Sequence, residues 1–422
     1  MSFRKKSNKA VEAHEYALQG LDCSIKAERI ASKIAPILCA FVCGLKVNSK
    51  QYERIWFMAR DGFLPKKMYD ILCEFEGTPS DYLYVSRKSV NTASSKAFSI
   101  REINLAYLNS ETRNIRAVLK PLRDAGVDVD QLLKGYDVNP KEEFYPMSDA
   151  VLHSIIRRDD VRKVYNEYSS RQKRQLLAYL QEINFLSQKN IAVVDVGWGG
   201  QIQESLELVL RDVAPNIGVN GMYMALNNLS ESRKIALLKM TGLIHDSTCP
   251  NWKSDLLFSA VDLFEDVCRS HEGTVIGYEF GKPILDNKGN QREVEINSQD
   301  MVSDVQNAII EYAYKWMLFN KENEVTFEEA KDHAVDLIVD LMAFPSREMY
   351  DFFQKTSTAS KSEKYTDNKS DISFLKGLKD ARWTAGFLSQ YRFGKFAQYA
   401  LLSARLTVKK LKLIRRELRN RF

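Results

Sequence analysis

Short apolar runs that end on a charge or a glycine alternate along this chain with stretches in which apolar residues recur every three or four positions. The first pattern predicts buried strands and the second amphipathic helices. Ala27–Leu45 reads as a helix, Glu53–Ala59 as a buried strand. The turn Arg60-Asp61-Gly62 follows, then a helix over Phe63–Glu74 with Pro65 tolerated in its first turn. Tyr82–Ser86 predicts a second strand and completes a βαβ unit. Ser99–Ile155 reads as mainly helical, and Val161–Phe185 as a further helix.

The next apolar run, Ile191–Val194, ends on Asp195, and Gly197, Gly199 and Gly200 follow within five positions. Ile202, Leu206 and Val209 then share one helical face, so the segment reads strand, glycine loop, helix. Val219–Leu226 predicts another strand. Asp255–Asp266 reads as one apolar helix with Asp262, Glu265 and Asp266 close together, and Val275–Leu285 as a short hairpin. Beyond about residue 295 the pattern is helical, interrupted by a polar tract over Lys355–Asp371.

Strands alternating with helices predict an α/β, Rossmann-like fold with a mainly parallel sheet, large helical insertions and a helical C-terminal region. The expected division is a donor-binding core over 1–295, carrying a helical insertion at about 100–185, and a helical region over 296–422. At 422 residues, 45% apolar and 27% charged, the chain has enough material for a sizeable core. Its longest apolar stretch, Ile34–Leu45, is well short of the ~20 residues that cross a bilayer and reads as a buried helix.

The basic first residues lack an apolar segment and a cleavage site, which predicts a cytoplasmic protein. Six scattered cysteines contain no C-x-x-C pair, and Cys39 and Cys43 fall within the apolar helix, as expected for core packing. The five histidines lack ligand spacing, which argues against zinc chemistry.

The net charge of +6 is concentrated at the C-terminus, where Lys409, Lys410, Lys412, Arg415, Arg416, Arg419 and Arg421 face a single acid, Glu417. Leu402, Leu406, Leu411, Ile414 and Leu418 interleave with them, so residues 391–422 form a basic amphipathic tail. Such a tail suits the anionic surface of the inner membrane's cytoplasmic face, or else a solvated helix packed on its own domain. No nucleic-acid motif accompanies the charge.

Candidate chemistry gathers where strands end, since ligands of open parallel sheets bind beyond the carboxyl ends of the strands. Arg60, Asp61 and Gly62 follow the first strand, Ser86, Arg87 and Lys88 the second, and Asp195 with Gly197, Trp198, Gly199, Gly200 and Gln201 the third. Glycines let an oxyanion approach backbone N–H groups at a helix N-terminus, and Arg60, Arg87 and Lys88 would neutralise a diphosphate. The other reading of the glycines is a plain strand-to-helix turn.

In this order the motifs FMARDGF, YLYVSRK, VVDVGWGGQIQ, LFED, EGTVIGY and ARWTAGF resemble those of bacterial glycan phosphoribosyltransferases of polysaccharide clusters, in the half usually linked to a haloacid-dehalogenase-like phosphatase. The resemblance spans most of the chain. It departs from ordinary salvage phosphoribosyltransferases in placing Val196 where a second acid would stand, in lacking a loop threonine, and in the bulk of Trp198.

What the resemblance implies is transfer of ribose 5-phosphate from phosphoribosyl diphosphate to a hydroxyl of a lipid-linked or oligosaccharide glycan, of O-antigen or capsule type, with Mg²⁺ and release of pyrophosphate. Asp195 would hold ribose hydroxyls or the metal, and Asp61, Asp262 and Glu265 are the candidate bases. A phosphatase half is missing, because Asp128-Val129-Asp130 follows no apolar strand and reads as a turn, so a separate phosphatase is expected. The alternatives are a sugar-nucleotide glycosyltransferase using the same loops, and a non-catalytic scaffold docked at the membrane.

Overall fold

The computed structural model describes residues 8–74, 76–108, 114–138, 150–236, 238–286, 290–357, 378 and 381–391. The basic tail beyond Tyr391 and most of the polar tract lie outside the described residues.

Five parallel strands form one sheet: β1 Arg54–Met58, β2 Ser80–Leu83, β3 Asn190–Trp198, β4 Gly218–Leu226 and β5 Lys239–Asp246, in the order β2-β1-β3-β4-β5. This is the α/β Rossmann-like architecture expected from the sequence. Side chains alternate across the sheet as strand geometry requires. Ile55 and Phe57 of β1, Ala192 and Val194 of β3, and Met222 and Met224 of β4 enter one core, while Trp56, Met58, Ile191, Val193, Val219 and Tyr223 enter the other.

The first core is closed by the helices Lys26–Asn48, Gln299–Asn323 and Phe327–Ala343. Lys26–Asn48 is long and apolar enough to span a membrane by length and composition, yet from Ile34 to Leu45 it is wholly buried between the sheet and the two later helices. In Gln299–Asn323, Val302, Val305, Ile309, Tyr312 and Trp316 make the apolar stripe that meets it. Phe327–Ala343 starts at a capping box between Thr326 and Glu329. Cys39 and Cys43 are buried free thiols in this core.

The second core is closed by the helices Arg87–Ser94, Asp159–Glu182 and Gln201–Leu210 and by the hairpin β6 Val275–Glu279 with β7 Lys282–Leu285. Phe280 and Gly281, both at positive φ, make the two-residue turn of that hairpin. The inserted segment has its own small core of Phe98, Ile103, Val118, Leu122, Leu152 and Tyr165. Asp159–Glu182 bridges the two, with Val161 and Tyr165 in the insertion's core and Leu176, Tyr179 and Leu180 against the sheet.

Four elements depart from the sequence expectation. β2 ends at Leu83 rather than Ser86, because the Ser86 hydroxyl accepts the Ser89 N–H at 3.1 Å in a reciprocal capping box and starts a helix. β3 runs on through Gly197 to Trp198, so only Gly199 and Gly200 form the loop. Asp255–Asp266 is not one helix: a helical turn Trp252–Asp255 and a 3₁₀ turn Leu256–Ser259 break at Ala260 (φ −149°, ψ 58°) before Val261–Cys268 begins. The strand β5 is an addition, paired to β4.

Candidate functional site

The chain passes from β1 to β2 on one side and reaches β3 on the other, so the topological switch lies between β1 and β3. At such a point the loops leaving the two strands diverge and open a crevice. A cleft of about 1460 Å³ occupies it. Arg60, Asp61, Ser86, Arg87, Lys88, Asp195, Gly197, Trp198, Gly199, Gly200, Gln201, Asp262 and Glu265 all line this cleft. Residues predicted from four separate stretches of sequence are thus brought to one place.

Gly62 is the exception. It sits in the tight turn after β1, with its N–H donating to the Met58 carbonyl at 2.9 Å, and a Cβ there would fall 2.5 Å from that same oxygen. Its contribution is backbone approach within the turn, not a contact with the cleft. The turn holds Arg60 so that its guanidinium meets the buried Glu295 and, at 3.3 Å, the Thr274 hydroxyl.

Ser86 is spent on structure. Besides capping its helix it donates to the Val275 carbonyl at 2.6 Å, tying the helix to the hairpin. Arg87 and Lys88 occupy the first helical turn beyond it and are exposed at the cleft. Ser86→Ala therefore costs about 1 kcal/mol of stability, the usual value of a lost cap, with little change in the affinity of any anionic ligand; urea unfolding and a binding titration on the same variant check both.

On β3, Gly197 pairs with Ala225. Gly200 takes φ 75°, a conformation open to glycine, and directs the chain into the helix Gln201–Leu210. Arg233 reaches over from the segment after β4, donating to the Gly199 carbonyl at 2.8 Å and to Glu204 at 2.7 Å. It lines the cleft as another cation.

The acids form a desolvated group. Asp195 is buried, its Oδ1 accepting the Val196 N–H at 2.8 Å, and burial followed by repulsion from Asp61 pushes its carboxyl well above the usual range. Asp61 is raised by burial against the pull of Arg60 and Arg87, and its buried Oδ1 has no hydrogen-bond partner. Glu265 accepts from the Trp198 indole N–H at 2.7 Å, and burial with the Asp61 charge raises it to about 7. Asp266, 5% exposed, is pushed well up by burial, while Arg269 at 3.9 Å works the other way. Asp262 differs, because Arg382 holds it in an ion pair of 2.7 Å.

Sequence reading passed over Glu295, Arg233, Asp266 and Thr274 as site residues. Glu295 lies 235 positions from Arg60, and no local pattern marks such a partner. The insertion also supplies a wall, with Arg116, Lys120 and Arg123 lining the cleft. Asp128-Val129-Asp130, expected to be a turn, is instead the start of the short helix Val129–Leu133: Asp128 caps it through the Gln131 N–H, and Asp130 in its first turn pairs with Arg116.

Compared with known proteins, the chain matches no family model and no curated protein.

Among the described residues no set of three or more His, Cys, Asp or Glu side chains is arranged to hold a metal ion by itself. Mg²⁺ seldom uses such a cage; it takes one or two carboxylates and completes its shell with water and substrate phosphates. The buried Asp195 and the unpartnered Oδ1 of Asp61 fit that mode.

Proposed function

We propose that this cleft binds phosphoribosyl diphosphate and transfers ribose 5-phosphate to a glycan hydroxyl, releasing pyrophosphate. The observation that carries the reading is the convergence at the β1/β3 switch point of a glycine turn into a helix N-terminus, exposed cations at a second helix start, and buried carboxylates beside both. A donor with two phosphate groups flanking a polyhydroxyl ring matches that order of charges.

In this reading the N–H groups starting Gln201–Leu210 bind the 5-phosphate, since a helix N-terminus offers unpaired donors and a positive dipole end. Arg87 and Lys88, with Arg60, neutralise the diphosphate as the C1–O bond breaks and its electron pair leaves with that group. Asp195 accepts from the ribose hydroxyls and stabilises positive charge developing at C1. Asp195 and Asp61 would hold Mg²⁺, which would supply further neutralisation of the diphosphate. The acceptor is a sugar hydroxyl of a surface polysaccharide precursor, and a phosphatase activity removes the remaining phosphate.

Calorimetric binding with Mg²⁺ tests the donor. Phosphoribosyl diphosphate binds and a panel of nucleotide sugars does not, and Arg87→Ala weakens binding by about tenfold or more, in line with a lost charge-assisted contact of ~1.5–3 kcal/mol. Preference for a nucleotide sugar would replace the donor, and absence of binding to every donor would favour a scaffold.

A further inference from the structure

We infer that Glu265 is the general base of the transfer, and that Trp198 positions it. The inference rests on the donor assignment above and selects among three carboxylates that line one cleft.

Geometry separates them. Asp262 is engaged at 2.7 Å by Arg382, so a proton would have to displace an ion-paired guanidinium. Asp61 sits beside Arg60 at the diphosphate end, where Arg60 and Arg87 pull on its charge and where it is assigned to the metal. Glu265 has neither restraint. Its Oε1 accepts the Trp198 indole N–H at 2.7 Å, which anchors the carboxylate; among the described residues no donor is bonded to Oε2, and Glu265 lines the cleft.

Trp198 is the last residue of β3, directly before Gly199 and Gly200, so the loop that receives the donor also holds the base. The bulky tryptophan that ends β3 beside the glycines thereby acquires a purpose. Phe258 packs edge-on against its ring, with centroids 5.5 Å apart, and helps hold the indole in place.

In the transfer step the acceptor oxygen bonds to C1 while its proton passes to Oε2 of Glu265. The C1–O bond to the diphosphate breaks, and the leaving group takes the electron pair. The groups facing Glu265 are Asp61 from the β1 turn, Asp195 and Trp198 from β3, Arg87 from the second helix start, and Asp262 and Asp266 on its own helix. Burial among these acids gives the carboxylate a proton affinity near neutrality, where a base works best.

The test combines donor binding with diphosphate release in the full-length protein, using Mg²⁺ and phosphoribosyl diphosphate with water as the acceptor. Glu265→Gln keeps donor affinity within about twofold and slows release by about 10²–10⁴-fold. In Glu265→Ala, added formate or azide restores part of the rate. Trp198→Phe removes a hydrogen bond that favours the ionised carboxylate, so the acid limb of its pH–rate profile moves to higher pH. Glu265→Gln releasing diphosphate at the wild-type rate would overturn the assignment and leave the donor reading intact. Loss of donor affinity in the same variant would also overturn it, making Glu265 part of the donor cradle. A wild-type protein that binds no phosphoribosyl diphosphate would instead remove the donor assignment on which this one rests.

Discussion

Replacing Asp195 with asparagine slows transfer by about 100-fold or more and, at pH 8, raises the melting temperature of the ligand-free protein. Both effects come from one cause. Asp195 is buried at the sheet edge with Asp61 and Glu265 as electrostatic neighbours, so ionising it in the folded state is costly. The sign follows from proton linkage. A carboxyl whose folded pKa is raised binds its proton more tightly in the folded than in the unfolded chain. Stability is therefore highest below the unfolded carboxylate pKa of about 4 and falls as pH rises toward the folded value.

Asparagine cannot ionise, so it removes that loss. Wild type and variant should melt alike at pH 4 and diverge at pH 8, with the variant higher. Asparagine keeps the shape and a hydrogen-bonding oxygen, but lacks the charge that opposes positive charge at C1. Melting curves at the two pH values, with diphosphate release measured in parallel, check the pair of effects. A variant less stable than wild type at pH 8 would show that Asp195 is held by compensating partners rather than strained by like charges. Such a trade of stability for function is expected where acids are crowded to do chemistry.

The second large effect belongs to Gly197. Gly197→Ala should destabilise the protein by about 1–3 kcal/mol, the usual cost of overpacking a rigid site, and abolish donor binding. The added Cβ would lie 2.5 Å from the carbonyl oxygen of Ala225, an atom of the neighbouring strand that cannot rotate away. Relief requires moving β3 from β4 at the very residues that place Asp195 and Trp198. Gly199→Ala provides the contrast, because its Cβ would meet side-chain atoms of Arg233 and Leu229 at 3.4 Å, and Gly199 has no positive φ. Two glycines separated by one residue thus differ in role. Chemical denaturation and calorimetry on both variants distinguish them; equal tolerance of the two alanines would contradict the strand assignment of Gly197.

Much of the fold was legible because burial leaves a periodic trace. The apolar runs Ile55–Met58, Ile191–Val194 and Met222–Leu226 reflect strands covered on both faces, and the stripe Val302–Trp316 reflects a helix with one covered face. β5 was not legible, because Thr241 and Gly242 interrupt its apolar pattern and its place is set by pairing with β4. The sequence understates the extent of β3, since glycine usually signals a turn, whereas Gly197 is required inside the strand by a close backbone neighbour. Ser86 resembled a strand end until its hydroxyl was seen to cap a helix.

The sequence by itself determined the order of elements, the parallel α/β class and the residue types available at each strand end, since these depend on local propensity and on hydrophobic period. Tertiary structure alone decided which strand ends adjoin, because strand order is a matter of packing and not of sequence neighbourhood. It set Glu295 against Arg60 across 235 positions, tied Asp262 to Arg382, and gave Glu265 its indole partner. The desolvation that raises Asp195 and Glu265 was likewise undetermined until the chain closed around them, because the energy of a charge depends on its surroundings and not on its place in the sequence.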